Sequence, residues 1–348
     1  MHGSATKFGN AQVEPMPLVY GIPVAVGFGI IGGLAGALFV SVNFRINEVR
    51  KRMLTSNWHK PLETAFCVFL SSSLFFLAPY FLEWLNPSNC YEPVIDIDPH
   101  IHYKAWCPEG KYDKMGPLFW AAEGEIIRNL MNHKITIDAP ELIFFMCIWY
   151  AFTITTYGTN VPAGLFLPGI IIGCTLGKLI FLIADEAEWV AYNDSVERNS
   201  METHFMIIAS ASLMAGYTRM TYSLGIILME TAQAIEVFVP MIITIGIANQ
   251  VGSLFTRSLY ERSARGKQMP ILKDRVPKQC EHVTAQQIMS RDLNTLLNVD
   301  TVSNVLEAIN SGHHGFPVLN HLGNVVGLIP RNFVITLLEN RGFYMTLT

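Results

Sequence analysis

The chain has 348 residues, of which 51% are hydrophobic and only 15% are charged, and its net charge is −4. Soluble proteins carry about 25% charged residues, so this composition predicts an integral membrane protein. So small a net charge excludes a nucleic-acid-binding surface as the main feature of the chain. No nucleophile and base stand at a recognisable motif spacing, so we do not expect an enzyme.

Two long uncharged runs begin the chain. Residues 15–44 exceed the roughly 30 Å hydrocarbon core at about 1.5 Å per residue, which predicts a long, tilted helix. Small residues recur along it at helical spacing and let neighbouring helices approach closely: Gly29, Gly32, Gly33, Gly36 and Ala37. The basic residues at positions 45–60 then predict a cytoplasmic end. The second run, residues 64–82, is expected to return across the membrane.

The segment 85–140 is long and polar, and it is expected on the lumenal or extracellular side. A connection of this length is typically functional or locally ordered. Cys90 and Cys107 are its only cysteines, and an oxidising compartment favours a disulfide between them over two free thiols. Its acidic and histidine residues could mimic a metal site, and they include Asp96, Asp98, His100 and His102. We expect them to be solvated surface, so we predict no metal site.

Residues 142–176 are uncharged, and glycine and proline divide this run into two helices around positions 158–164. Pro168 falls in the first turn of the second helix, where proline is tolerated. A helix that begins inside a membrane leaves backbone N–H groups unpaired, and its dipole favours an anion. The pattern therefore predicts an anion site near the bilayer midplane, or alternatively a single kinked transmembrane helix.

Residues 205–218 and 223–229 are too short to span a membrane without tilt and predict partly penetrating helices. Arg219 and Glu230 flank the second of them. Charges inside a membrane are costly, so we expect both to be paired or to face protein, in a structural role rather than in conduction. Residues 237–256 form the last uncharged run, and the basic residues after it predict the cytoplasmic side.

A soluble pattern begins at Met269, and its prolines mark a linker at 268–283. Beyond the linker, 285–291 and the amphipathic 302–309 predict helices, 316–320 and 325–329 predict a pair of strands, and 332–338 predicts a last helix. Residues 284–348 are therefore expected to be a small α/β domain.

Residues Gly164 to Pro168 match the pattern GxFxP, and further blocks follow it: 216–224 with 227–231, Val251-Gly252, and Leu259-Tyr260-Glu261. In this order they resemble the CLC family of chloride channels and chloride/proton antiporters, especially its endosomal and lysosomal branch. The resemblance implies an all-α multi-pass membrane protein with the second inverted repeat of that fold at 15–267, after a tail at 1–14. Residues 284–348 resemble a CBS domain, the first of an expected pair.

The same resemblance implies the site residues and partners. Chloride would be held by backbone amides of Leu165 and Phe166, within the motif that runs from Gly164 to Pro168, and by the hydroxyl of Tyr260. On physical grounds alone, Tyr260 also fits a tyrosine of the interfacial belt. The implied cargo is chloride, with protons in exchangers, and the implied assembly is a homodimer in an intracellular or plasma membrane. No organic cofactor is expected, and with one CBS module adenine nucleotide binding is not expected either.

The chain lacks several first-half features of the family. No stretch matches its Ser-containing anion motif, its Gly-x-Glu-Gly-Pro motif or its proton-transfer glutamate, and Gly124-Glu125 is only a partial match. The resemblance therefore covers a second half, and residues 1–348 alone are not expected to conduct chloride. Two rival hypotheses stay open. One is a non-conducting structural or regulatory subunit. The other is a CBS-containing cation transporter, although the spans contain no acidic cluster for a hard cation.

Overall fold

A computed structural model describes residues 18–340, apart from positions 55, 57, 86–89, 92–106, 108–110, 132–136, 191, 193, 233, 270–279, 281, 290 and 292. The expected tail at 1–14 and the residues Asp96, Asp98, His100 and His102 lie outside the described residues. The chain divides into two compact units, a membrane unit, Met1–Ile271, and a C-terminal unit, Leu272–Thr348. The division falls within the linker expected at 268–283.

The described part of the membrane unit is almost entirely helical. Its helices are α1 (Leu18–Met53), α2 (His59–Leu85), α3 (Gly116–Phe119), α4 (Glu123–Leu130), α5 (Ala139–Thr156), α6 (Phe166–Glu186), α7 (Ser195–Thr218), α8 (Tyr222–Ala232), α9 (Phe238–Phe255) and α10 (Leu259–Gly266). Among the described residues, α1, α2, α5, α6 and α9 are long and apolar enough to cross a membrane. They correspond to the uncharged runs of the sequence, with 142–176 divided into two helices as predicted.

Helix α7 is longer than predicted. The expectation of a short helix at 205–218 was wrong, because α7 has 24 residues and begins at Ser195. Its first turns carry charged residues, which interrupt the apolar run but are paired inside the protein. Arg198 contacts Asp185 at 2.6 Å, and Glu202 contacts Lys178 at 2.9 Å. The other predicted short helix is α8, with 11 residues.

The buried centre of the membrane unit is α7, which packs against α1, α6 and α9. Nearly every residue from Ser200 to Thr218 is buried. The close approach of α1 to α7 depends on small residues, since a Cβ at Gly32 would overlap Ser212 and a Cβ at Gly36 would overlap Gly216. This is the contact that the small residues of α1 predict.

The described part of the segment between α2 and α5 contains a small core. Strands β1 (Cys90–Tyr91) and β2 (Tyr112–Asp113) pair antiparallel, and Ile126, Ile127 and Leu130 of α4 are buried. Helix α4 is tied to the bundle because the Nζ of Lys178 donates to the Leu130 carbonyl at 3.0 Å. The structure also contains a disulfide between Cys90 and Cys107.

This disulfide leads to a labelling prediction. In a Cys67→Ser, Cys147→Ser background, Cys280 should react with a membrane-impermeant maleimide added from the cytoplasmic side, because it is a free, exposed thiol. Cys90 and Cys107 should react only from the opposite side and only after reduction. Labelling is read by mass shift in right-side-out and inside-out vesicles. Modification of Cys90 without reductant would contradict the bridge, and modification of all three cysteines from one side would contradict the topology.

The C-terminal unit is a small α/β structure. Strand β3 (Leu296–Leu297) pairs parallel with β4 (Gly315–Leu319), and β4 pairs antiparallel with β5 (Val325–Pro330). Its helices are α11 (Ala285–Ile288), α12 (Val302–Asn310) and α13 (Arg331–Glu339). Its buried cluster consists of Leu296, Ala308, Phe316 and Val334. The predicted strand pair is present, and the two-residue β3 is an addition to it.

Candidate functional site

The candidate site begins where α6 starts. Leu165 is the N-cap, with φ −114° and ψ −6°, and it is 7% exposed. The amides of Phe166 and Leu167 have no acceptor inside the helix, because the first turn of any α-helix leaves its N–H groups unpaired. Pro168 occupies the same turn and contributes no N–H. Gly164, the first residue of the motif, is exposed.

The connection between α5 and α6 is held by α1. The side-chain amide of Asn43, which is fully buried, donates to the carbonyls of Ile154 and Tyr157, both at 2.7 Å. Gly158 has φ +100°, and a Cβ there would overlap the side chain of Asn47. These contacts fix the path of the chain after α5 and therefore the position from which α6 begins.

A cavity of about 800 Å³ opens beside this connection. The cations that line it are Arg50, Lys51, Lys60 and Lys267, and none of its described lining residues is acidic. Arg50 is neutralised by Glu63, and it also donates to Asn47 at 2.8 Å and to the Thr155 carbonyl at 2.7 Å. The structure records no ion pair for the three lysines among the described residues. The cavity is therefore electropositive.

Two tyrosines, Tyr217 and Tyr260, lie near the start of α6 and the cavity. The hydroxyl of Tyr217, on α7, donates to the Leu165 carbonyl at 2.8 Å. Tyr260, on α10, lies within electrostatic range of Tyr217 and of Tyr157, and Tyr157 lines the cavity. Burial, with a smaller contribution from Tyr157, raises the pKa of Tyr260 above its usual value. Its hydroxyl therefore stays a neutral donor at physiological pH.

Helix α10 is positioned by local contacts. Ser258 caps it by accepting a hydrogen bond from the amide of Glu261 at 3.1 Å. The guanidinium of Arg262 lies over the ring of Phe44, 4.5 Å from its centroid. Since Phe44 lines the cavity, these contacts hold the helix that carries Tyr260 against the cavity wall.

Arg219 and Glu230 have different surroundings. Arg219 adopts a left-handed conformation at the end of α7, and its guanidinium donates to the carbonyls of Gly216, Asn249 and Thr256 at 2.8–3.3 Å. It therefore ties the last turn of α7 to the end of α9. Glu230 is exposed on α8, and among the described residues no ion pair is recorded for it, so its expected structural role stays a prediction.

Sequence reasoning missed Tyr217 and the lysine cavity. Tyr217 lies in an apolar run, which predicts an aromatic residue of the core. The local sequence does not predict its hydrogen bond to a residue 52 positions earlier. The lysines were visible as basic clusters at the ends of spans. That they share one cavity follows only from the fold, because they come from α1, α2 and the residue after α10.

Comparisons with known proteins match nearly the whole chain. Residues 3–253 match the family model described as voltage gated chloride channel. Chloride channel protein C of Dictyostelium discoideum is 29% identical over 329 residues, which cover 91% of this chain and 42% of that protein. H(+)/Cl(−) exchange transporter 7 of Homo sapiens is 24% identical over 353 residues, which cover 97% of this chain and 42% of that protein. The chain thus spans less than half the length of these relatives.

Among solved structures, a slow cyanobacterial Cl−/H+ antiporter resembles this chain with a TM-score of 0.50 and 14% sequence identity. The likeness covers 77% of this chain and 51% of the antiporter chain, and it concerns the fold alone. The helical architecture of the membrane unit is therefore of the same type as in that antiporter.

Proposed function

The chain belongs to the voltage-gated chloride channel (CLC) family, and from that premise we propose that it takes part in chloride transport across a membrane. The observation that carries the proposal is the start of α6, an unpaired helix N-terminus in an apolar run, next to an electropositive cavity. Amides at such a start attract an anion through partial charges. Because no full positive charge belongs to the α6 start itself, chloride can leave again.

In this proposal the ligands of chloride are the amides of Leu165 and Phe166 and the hydroxyl of Tyr260. The amides belong to the N-cap and the first helical residue of α6. Tyr260, which is 51% exposed, approaches the same region from α10, since it lies within electrostatic range of Tyr217, whose hydroxyl donates to the Leu165 carbonyl. Neutral donors of this kind replace part of the hydration shell of the ion.

The lysine cavity supplies the entrance from the cytoplasm. Lys51, Lys60 and Lys267 carry positive charge on its wall, and a cavity lined by one sign of charge raises the local concentration of the opposite ion. Tyr157 lines the cavity and lies within electrostatic range of Tyr260, so the proposed entrance is near the proposed binding residues. The cytoplasmic side is inferred from the basic residues at the ends of α1 and α10.

We propose further assignments on the family resemblance. The transport is that of a channel or of an exchanger with protons as second cargo, in an intracellular membrane. The assembly is a homodimer. In support, Glu230 is an exposed charge on the apolar α8, where lipid would not solvate it but a second copy could. Residues 284–348 are a CBS domain, supported by the order β3, α12, β4, β5, α13 of the C-terminal unit.

The proposal is tested by Tyr260→Phe in the full chain, purified in nanodiscs. Removing the hydroxyl deletes one neutral donor, worth about 1 kcal/mol, so the chloride Kd from calorimetry should rise several-fold. Tyr222→Phe is the matched control, because Tyr222 is an exposed tyrosine on α8, and it should leave the Kd unchanged. An unaltered chloride Kd in Tyr260→Phe would show that Tyr260 is not a ligand and would favour the interfacial-belt interpretation. No chloride binding by the wild-type chain would refute the proposed site.

A further inference from the structure

The buried hydroxyl of Tyr217 acts on the same peptide group that carries a proposed chloride donor. It donates to the carbonyl of Leu165 at 2.8 Å, and Tyr217 is only 2% exposed. That carbonyl and the N–H of Phe166 belong to one planar peptide unit. Whatever fixes the direction of the carbonyl oxygen therefore also fixes the direction of the Phe166 N–H, which points the opposite way.

The neighbouring residues fix the position of the Tyr217 hydroxyl. Gly169 lies one turn into α6, and a Cβ at this position would overlap the Tyr217 hydroxyl. The ring of Tyr217 packs on Phe39 of α1, with 5.1 Å between the ring centroids. The Leu165 carbonyl also accepts the N–H of Gly169 at 3.2 Å, so it uses both of its acceptor positions.

We propose that Tyr217 is a positioning residue for the anion site at the start of α6, acting through the Leu165–Phe166 peptide. Its effect has two parts. The hydrogen bond holds the peptide plane so that the Phe166 N–H is directed out of the helix start. It also polarises the peptide, because hydrogen bonds in a chain strengthen one another, and the Phe166 N–H becomes a stronger donor to a small monovalent anion such as chloride. This inference rests on the proposed function and deepens it.

A purely structural role is the alternative, since the same bond joins α6 to α7. The chain contains a matched control for that role. The hydroxyl of Tyr150 donates to the Ala35 carbonyl at 2.6 Å, and its ring also lies against Phe39, at 5.9 Å between centroids. Tyr150→Phe thus removes a tyrosine-to-carbonyl bond from the same bundle without touching the peptide at the start of α6.

The experiment compares Tyr217→Phe with Tyr150→Phe in the full chain in nanodiscs. Chloride Kd is measured by calorimetry and thermal stability by circular dichroism. Both variants should lower Tm, while only Tyr217→Phe should raise the chloride Kd, by roughly threefold to tenfold. An unchanged Kd in Tyr217→Phe, or an equal rise in both variants, would overturn the proposal.

Gly169→Ala is a second variant for the case that Tyr217→Phe does not fold. Its methyl group displaces the hydroxyl without removing it, and the same rise in Kd is expected. Failure of this inference is distinct from failure of the proposed function. If Tyr260→Phe weakens chloride binding and the Tyr217 and Gly169 variants do not, the positioning role is refuted and the anion site stands. If the wild-type chain binds no chloride, both are refuted.

Discussion

Replacing Lys178 by methionine should destabilise the membrane unit by about 3–5 kcal/mol, the usual cost of leaving a buried charge without its partner. The Nζ of Lys178 lies 2.9 Å from Oε1 of Glu202, and the two side chains are only 4% and 5% exposed. The same Nζ donates to the Leu130 carbonyl at 3.0 Å. Lys178→Met therefore removes the ion-pair partner of the buried Glu202 carboxylate, and it also removes the hydrogen bond that holds α4 to the bundle.

The controls distinguish the cost of leaving a buried charge without its partner from the cost of removing any paired lysine. The Lys114–Asp138 pair has a separation of 3.5 Å, and its side chains are 15% and 57% exposed, so Lys114→Met should cost clearly less than Lys178→Met. The double variant Lys178→Met, Glu202→Leu removes both charges and should recover much of the lost stability. Unfolding is followed by circular dichroism with increasing denaturant. A Lys178→Met effect no larger than that of Lys114→Met would contradict the account of a buried pair.

The start of α6 shows how far the sequence predicts this protein. The glycines and proline around positions 158–164 predict a break in an apolar run, and Pro168 fits the first turn that the structure contains. These features depend on residues that are consecutive in the chain, so the sequence alone predicts them. The family resemblance, drawn from short blocks in a fixed order, is confirmed by the match over residues 3–253.

The features that escaped prediction depend on contacts between distant segments. The length of α7 was missed because charged residues end an apolar run, whereas in the fold Glu202 is neutralised by a lysine of α6. The role of Tyr217 was missed because a buried tyrosine and a positioning tyrosine look alike in sequence. Strand β3 was missed because two residues are too few for a periodic pattern.

The central claim is that a backbone N–H at the start of α6 binds chloride, and an amide-to-ester substitution at Phe166 tests it. Incorporating phenyllactic acid at this position replaces the amide N–H by an ester oxygen, and it also makes the Leu165 carbonyl a weaker acceptor for the hydroxyl of Tyr217. Phe166 is the first residue of α6, so its amide is not needed for a hydrogen bond inside the helix. A hydrogen bond to a charged partner is worth about 1.5–3 kcal/mol, which corresponds to tenfold or more in affinity.

The matched control is the same ester at Phe333, which lies in the first turn of α13 in the C-terminal unit. Both proteins are prepared as the full chain in nanodiscs, and their chloride Kd is measured by calorimetry. We predict that the Phe166 ester raises the chloride Kd at least about tenfold while the Phe333 ester leaves it unchanged. A folded Phe166 ester that binds chloride with the wild-type Kd would contradict the claim that the start of α6 is the anion site.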